Sequence, residues 1–313
     1  MKFAFLATTV LLATALAGCT SPQGAGDRVV FEQAGSSTVL PVARAWAEVY
    51  RQKDPSVEII VGGGGTGAGF KQFCRGELDI SDASRPIKES ERQECAAAGV
   101  TPFEIPVAID GLAVVVSAQN TFVDYLSVEE LNRIWTQDTS KQVNFWDEVR
   151  PGAGWPRQRI ELYGPGTDSG TFDYFVEVII HPYDGSQSRG RGDYTKSEDD
   201  HILVQGVQGR PSGLAYFGLA YVEDNQGRIR AVPIAPGNST AAVAPTAENV
   251  LGDRYKPLAR PIYMYTDGAP TGKLRDYFLF GLGAEGQALV DEAGYIPLPE
   301  ALRASTVARI QGS

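Results

Sequence analysis

Histidine and cysteine are scarce in this 313-residue chain, which has only His181, His201 and three cysteines. Zinc sites need three or four such ligands at close spacing, and the chain offers no such set. We therefore expect no metal ion and no cofactor. An enzyme without either would need an activated nucleophile, and no Ser-His-Asp spacing is visible. The residues thus argue against an enzyme.

Positive charge is also in short supply, since 28 Lys and Arg stand against 38 Asp and Glu, for a net charge of −10. Nucleic acids and acidic membrane surfaces attract basic proteins, so neither is an expected partner. The deficit does not exclude a small anion as ligand, because helix dipoles can hold one locally in an acidic protein.

Long apolar runs are missing as well. Phe3 to Leu16 is apolar, but a bilayer span needs about 20 such residues. Together with Lys2 and the sequence LAGC at 16–19, this run predicts a lipoprotein export signal over residues 1–18. Cys19 would then carry the lipid, and residues 19–28 would form the lipidated cysteine and a polar tether. A transmembrane anchor is the alternative interpretation.

Removal of residues 1–18 leaves 295 of the 313 residues and, because Lys2 is the only charged residue removed, changes the net charge from −10 to −11. This length suits one large or two medium domains. Cys74 and Cys95 remain besides the lipidated cysteine. An exported pair of this kind is typically joined as a disulfide, and two free buried thiols are the alternative.

Strand and helix patterns alternate along the chain, which predicts an α/β fold with a largely parallel sheet. Apolar patterns mark strands at 29–33, 57–61, 101–107, 112–117, 160–163 and 260–265. The polar region 181–200 has no period, so we expect a surface loop there. Crossings near 106–110 and 258–263 would divide the chain into two lobes, 29–107 plus 262–313 and 108–261. Clefts between lobes, at the carboxyl ends of strands, are where such folds bind ligands.

Three turns rich in Gly, Ser and Thr each join a predicted strand to a predicted helix. They are Gly35-Ser36-Ser37-Thr38, the run from Gly62 to Gly69, and Thr167-Asp168-Ser169-Gly170-Thr171. Each places hydroxyl groups and unpaired backbone N–H groups at a helix N-terminus, where the dipole is positive. One such turn is an ordinary cap, but three in one chain predict a converging pocket for a small tetrahedral anion.

Two other interpretations of these motifs are weak. Gly62-x-Gly64-x-x-Gly67 matches the dinucleotide fingerprint, but a glycine-rich run produces that match easily, and a P-loop would need Lys where Phe70 stands. The sequence DSGT at 168–171 matches the aspartic-protease signature, but a chain of this size needs a second copy and contains none. A flexible surface turn remains the alternative for the glycine run.

A third feature is Ser84-Arg85-Pro86, which places a guanidinium at the end of a short predicted strand, just before a helix. Arginine can hold an oxyanion through two parallel hydrogen bonds. A structural or surface ion pair is the alternative for Arg85.

Several segments taken together point to a known family. They are GSSTVLP at 35–41, VGGGGTGAGFKQF at 61–73, DISDASRPI at 79–87, YGPGTDSGTFDYF at 163–175, RPSGLAYFGLAY at 210–221 and RPIYMY at 260–265. In this order they resemble the periplasmic phosphate-binding protein of the phosphate ABC transporter, in the cyanobacterial SphX-like branch of the PstS family. The likeness covers nearly the whole mature chain. It implies a two-lobed, type II periplasmic-binding-protein fold that closes on phosphate without altering it chemically.

The resemblance also implies a ligand shell, carried over position by position. Its members are Ser37, Thr38, Thr66, Gly67, Ser84, Arg85, Asp168, Ser169, Gly170 and Thr171. One departure is visible, because well-known members have Asp at the position of Arg85 and Arg where this chain has Pro165. The charged pair looks transposed, with Arg85 on the first lobe and Asp168 on the second.

Selectivity would rest on one carboxylate. Phosphate keeps a proton near neutral pH, whereas sulfate, which has the same shape, does not. A carboxylate in the pocket would accept a hydrogen bond from that proton and repel a bare sulfate oxygen. Our hypothesis gives this role to Asp168, and a plain helix cap for residues 169–172 is the alternative.

The partners implied by the resemblance are inorganic phosphate and a phosphate ABC permease in the inner membrane. The protein would be a monomer in the periplasm, held to a membrane by the lipid on Cys19. Two alternatives remain for its function. One is a binding protein for another oxyanion, and the other is an exported phosphatase-like hydrolase.

Overall fold

The computed structural model describes residues 28–167, 169–223 and 225–312. The predicted export signal, Cys19 and nearly all of the tether lie outside these residues, and so does Asp168. Within the described part of the chain, no helix combines the length and the apolar character needed to cross a membrane.

The strands and helices alternate as the sequence predicts. The strands are β1 (Val29–Gly35), β2 (Val57–Val61), β3 (Ile80–Ala83), β4 (Pro102–Ser117), β5 (Leu126–Ser127), β6 (Glu161–Gly164), β7 (Thr195–Lys196), β8 (Gly213–Gly218), β9 (Ile229–Ala231), β10 (Ile234–Ala235) and β11 (Ala259–Asp267). The helices are α1 (Leu40–Lys53), α2 (Thr66–Phe73), α3 (Glu89–Ala97), α4 (Val128–Trp135), α5 (Trp146–Val149), α6 (Gly170–Phe175), α7 (His181–Asp184), α8 (Asp200–Gln208), α9 (Ala220–Glu223), α10 (Ala247–Leu251), α11 (Gly272–Gly281), α12 (Ala284–Glu292) and α13 (Glu300–Gln311). A π-helical segment, Val176–Ile180, continues α6.

Nine strands form one mixed sheet in the order β2-β1-β3-β11-β4-β8-β6-β7, with β9 also beside β4. β1 is parallel to β2 and β3, and β6 is parallel to β7 and β8. β4 and β11 are antiparallel to their neighbours. The predicted α/β class is confirmed. The predicted largely parallel sheet is wrong, because two long antiparallel strands join the two parallel groups.

The two strands predicted at 101–107 and 112–117 are one continuous strand, β4. Asp110 and Gly111 do not break it, because β11 pairs with β4 up to the Ala259–Gly111 pair. From Leu112 onward β8 takes over as antiparallel partner. β4 therefore passes from one parallel group of the sheet to the other without a turn.

The two ends of the chain pack together. Trp46 of α1 is fully buried, and its indole N–H donates to the carbonyl oxygen of Gly286 at 2.8 Å. A Cβ on Gly281 would lie 2.2 Å from the Trp46 ring, so α11 approaches α1 at a distance that needs glycine. α13 is not predicted from the sequence, because Thr306 and Ile310 are its buried residues and do not make an apolar stripe.

The region 181–200, predicted as a loop, contains α7 and β7 and is anchored by a buried arginine. The Arg191 guanidinium donates to the carbonyl oxygen of Ile134 at 2.9 Å and to Asp193 at 2.7 Å. A charged anchor leaves no apolar periodicity, which is why sequence patterns do not reveal the order here.

Cys74 and Cys95 form a disulfide between the end of α2 and α3, with their Cα atoms 4.3 Å apart. The predicted bridge is confirmed, and the alternative of free thiols is wrong. The bridge closes a loop with a sequence separation of 21, which stabilises a fold by about 3 kcal/mol in the chain-entropy model. It ties α3 to α2, the helix whose first residues line the candidate site.

Candidate functional site

The first turn lies between β1 and α1 and is fixed from both sides. Gly35 has a φ of +146°, and a Cβ there would lie 2.2 Å from the carbonyl oxygen of Asp82. The same carbonyl accepts from the N–H of Ser36 at 2.9 Å. The Tyr295 hydroxyl donates to the carbonyl oxygen of Thr38 at 2.7 Å. The start of α1 is therefore held in place before any ligand binds.

The second turn brings α2 against the first. Gly65 has a φ of +88°, and its N–H donates to the carbonyl oxygen of Gly35 at 2.7 Å. α2 then begins at Thr66, whose Oγ1 accepts from the N–H of Ser84 at 3.2 Å and lies 3.1 Å from the Ser84 Oγ. The glycine run is therefore a strand-to-helix turn that is hydrogen-bonded to the first turn and to Ser84.

The third turn touches the first. The Oγ of Ser169 accepts from the N–H of Thr171 at 3.1 Å and so caps α6. A Cβ on Gly170 would lie only 2.8 Å from the Cα of Thr38. Residues separated by more than 130 positions in the chain thus meet backbone to backbone.

Two neighbouring cavities flank this contact. The first, which we call the hydroxyl cavity, has a volume of about 250 Å³. It is lined by Ser36, Ser37, Thr38, Gly65, Thr66, Gly67, Ser84, Arg85, Asp173 and Glu177. The second, the adjacent cavity, has a volume of about 390 Å³, and its lining includes Ser37, Asp110, Ser169, Gly170 and Thr171. Nine of the ten residues in the predicted shell thus line one of two cavities that share Ser37, and the tenth, Asp168, lies outside the described residues.

Arg85 lines the hydroxyl cavity and is also half of an ion pair. Its guanidinium donates to both carboxylate oxygens of Glu91, at 2.7 and 2.8 Å. These hydrogen bonds raise the pKa of Arg85. Glu91 also accepts from the N–H of Lys88 at 2.9 Å, at the start of α3. The structural ion pair that sequence analysis offered as the alternative is therefore present, on a side chain that faces the cavity.

Two acidic residues of the site, Asp173 and Glu177, were not anticipated from the sequence. They stand four residues apart along α6 and its π-helical continuation, so they face the same way. The Asp173 carboxylate accepts from the Ser37 hydroxyl at 3.0 Å. The sequence signal that could have revealed them is their spacing of four residues on the helix that follows the third turn.

A buried charged pair lies beside the site where β4 and β11 run together. Asp110 and Arg260 are register partners in the two strands, and the Arg260 Nε lies 3.7 Å from a carboxylate oxygen of Asp110. Burial raises the pKa of Asp110 to about 6, and the charge of Arg260 opposes this rise. The Arg260 guanidinium lies 3.6 Å from the centre of the Tyr174 ring.

The chemistry of the arrangement is that of an anion site. Hydroxyl groups from the first two turns line the hydroxyl cavity together with Arg85, and the N-terminus of α6 lines the adjacent cavity. Such donors can replace the water that an anion loses on binding. Among the described residues, no group of three His, Cys, Asp or Glu side chains is placed to hold a metal ion.

Comparison with known proteins agrees with this geometry. The family model described as PBP superfamily domain matches residues 20–285. The protein SphX of Synechococcus elongatus is 40% identical over 279 residues, which are 88% of this chain and 80% of that protein. The phosphate-binding protein PstS of Staphylococcus aureus is 32% identical over 307 residues, which are 96% of this chain and 89% of that protein.

Solved structures show the same likeness. A possible phosphate-binding protein from Planctomyces limnophilus is 41% identical, with a TM-score of 0.84 over 92% of this chain and 99% of that one. An ABC-type phosphate transport receptor from Vibrio cholerae, 24% identical, has a TM-score of 0.65 over 86% of this chain and 100% of that one. The predicted two-lobed α/β fold class is confirmed by this match. The chain therefore belongs to the PstS family of phosphate-binding proteins, within the PBP superfamily.

Proposed function

We propose that this protein is an extracytoplasmic solute-binding protein that captures inorganic phosphate and delivers it to an ABC permease. The observation that carries the proposal is the meeting of the first and third helix-start turns, Gly170 against Thr38, at cavities lined by hydroxyl groups. The names of the relatives agree, since they are phosphate-binding proteins and a phosphate transport receptor. A Clostridium perfringens relative, 28% identical with a TM-score of 0.55, was solved with bound phosphate.

The ligand shell that we propose is the set of ten residues given above. Hydroxyl groups of Ser37, Thr38, Thr66 and Ser84 would donate to phosphate oxygens, and Arg85 would add a formal positive charge. Ser169, Gly170 and Thr171 would add donors at the start of α6, where the helix dipole favours an anion. Hydrolysis would require in addition an activated nucleophile or a metal ion.

We also propose that the lobes comprise 29–107 plus 262–313 and 108–261. The change of partner along β4 after Gly111 supports this division. β4 and β11 would then be the connections about which the lobes close. Asp173 and Gly170 of the second lobe contact Ser37 and Thr38 of the first, as a closed arrangement requires.

For the cellular setting, we propose a periplasmic monomer anchored to a membrane by a lipid on Cys19, with a permease of the inner membrane as partner. The export signal at 1–18 is the support for this location. Mass determination of the protein from a membrane fraction, with Cys19→Ser as control, tests it. An unmodified N-terminus on the wild-type protein would contradict the anchor.

We expect the purified protein to carry phosphate and, once stripped of it, to bind phosphate in preference to sulfate. Native mass spectrometry measures the first property and isothermal titration calorimetry the second. Tighter binding of sulfate, arsenate or molybdate would instead support a binding protein for another oxyanion. Turnover of a chromogenic phosphate ester would support the hydrolase alternative.

We expect Asp168→Asn to lower the preference for phosphate over sulfate. Asn has nearly the same shape as Asp, and the cap of α6 is supplied by Ser169, so this substitution keeps the cap and removes only the charge that repels sulfate. Calorimetry with both anions measures the ratio of dissociation constants. Asp173→Asn is the comparison, because Asp173 lines the hydroxyl cavity. Unchanged discrimination in Asp168→Asn, with a loss in Asp173→Asn, would move the acceptor role to Asp173.

A further inference from the structure

The Glu177 carboxylate lines the hydroxyl cavity and pairs with a guanidinium group. It accepts from Arg260 at 2.8 Å, and its side chain is 45% exposed. It also faces Arg85, whose pKa is raised first by the hydrogen bonds to Glu91 and further by the charge of Glu177. A carboxylate that is paired with Arg260 and that influences the charge of Arg85 therefore lies beside the hydroxyl groups of the site.

Arg260 has hydrogen-bonding capacity left over. Its side chain is 14% exposed, and only one of its terminal nitrogens donates to Glu177. Within the described part of the chain, its Nε and its other terminal nitrogen are buried and have no hydrogen-bond partner. Asp110 does not fill the gap at 3.7 Å, beyond hydrogen-bond length. Buried guanidinium N–H groups without acceptors are costly, so an acceptor placed closer than Asp110 would stabilise Arg260.

Phosphate is such an acceptor, because Arg pairs with phosphate and carboxylate oxygens through the same planar fork. A phosphate in the hydroxyl cavity would also repel Glu177, because like charges at contact distance in a partly buried site repel strongly. Phosphate and the Glu177 carboxylate would therefore compete for the positive charge of Arg260.

On the basis of the proposed function, we propose that Glu177 is an internal anion that occupies Arg260 in the ligand-free protein and that bound phosphate displaces. Arg260 then becomes a second cation of the phosphate site. The apparent affinity is lowered by the fraction of molecules in which Glu177 must first leave. Glu177 would thus set how tightly the protein holds its ligand.

Calorimetric titration of the phosphate-stripped full chain with inorganic phosphate tests this inference. We expect Glu177→Gln to bind phosphate more tightly than the wild type, by roughly 5- to 30-fold, within the usual range of coupling between sites. The matched control is Glu161→Gln. Glu161 also pairs with an arginine at 2.8 Å and is 38% exposed, but it lies at the start of β6, away from both cavities.

Arg260 provides the second arm. We expect Arg260→Gln to weaken phosphate binding and Glu177→Gln to give no gain in that background, because the gain depends on releasing Arg260. If thermal denaturation shows that Arg260→Gln does not fold, Arg260→Met replaces it, with the same expectation, because Met also lacks the positive charge.

The possible outcomes distinguish a failure of this inference from a failure of the proposed function. Glu177→Gln binding no more tightly than Glu161→Gln overturns the inference while leaving the proposed function intact. A gain that persists in the Arg260 variant overturns the role of Arg260, since general charge repulsion then accounts for it. A wild-type protein that does not bind phosphate at all overturns the proposed function and this inference with it.

Discussion

Gly170→Ala should weaken phosphate binding by roughly 5- to 150-fold, as expected if overpacking costs about 1–3 kcal/mol. The added Cβ would lie 2.8 Å from the Cα of Thr38 and 3.2 Å from the carbonyl oxygen of Ser37. These are backbone atoms, held by the Tyr295 hydroxyl and by β3, so they cannot move aside as a flexible side chain would. The first and third turns must then separate, and the donors that we propose for phosphate move apart.

Calorimetry with phosphate measures this loss, and thermal denaturation checks the fold. We expect the melting temperature of the ligand-free protein to change little, because an open arrangement of the lobes relieves the clash. The increase in melting temperature on adding phosphate should shrink with the affinity. Gly209→Ala is the control, because a Cβ at that position meets nothing within 4 Å. Full affinity in Gly170→Ala would mean that phosphate binds without contact between these turns.

Arg85→Ala should weaken phosphate binding by about 2–5 kcal/mol, the usual cost of removing one side of a desolvated charged pair. Two effects add in this case. The site loses the cation that lines the hydroxyl cavity. In addition, the Glu91 carboxylate, which is only 14% exposed, loses its bidentate partner and adds an unbalanced negative charge near the anion. Calorimetry measures the loss of affinity, and denaturant titration measures the accompanying loss of stability.

The variant Arg85→Met with Glu91→Gln distinguishes a ligand from a structural partner. Removing both charges leaves no unpaired carboxylate, so stability should recover relative to Arg85→Ala. If Arg85 contacts phosphate, affinity should remain low, because the cation is still absent. Recovery of affinity in the double variant would show that Arg85 acts only by neutralising Glu91, and an unchanged dissociation constant in Arg85→Ala would remove it from the site altogether.

Short-range sequence patterns predicted many features of the site. The β-branched run at 57–61 is the strand β2 with the same bounds, and each predicted glycine- or hydroxyl-rich turn is followed by a helix. These features follow from local rules, since β-branched residues favour strands and caps favour helix starts. Asp173 and Glu177 escaped prediction because acidic residues on a helix ordinarily face solvent. Their role becomes visible only when Ser37 and Arg260 arrive from distant parts of the chain.

The strands β4 and β11 also depend on contacts between distant segments, which sequence patterns do not reveal. Asp110 and Gly111 read as an interruption in the sequence, yet pairing with β11 carries the strand through them. Asp110 is buried there opposite Arg260, a pairing across about 150 positions that no local pattern encodes.

The amino-acid order alone determined the alternation of strands and helices, the three anion-suited turns and the family. Each of these depends on neighbouring residues or on whole motifs. Only the tertiary structure decided which turns touch, which carboxylate faces which arginine and how the sheet connects its two parallel groups. Those outcomes depend on packing and charge between segments far apart in the chain, where a shift of one ångström decides whether a hydrogen bond forms.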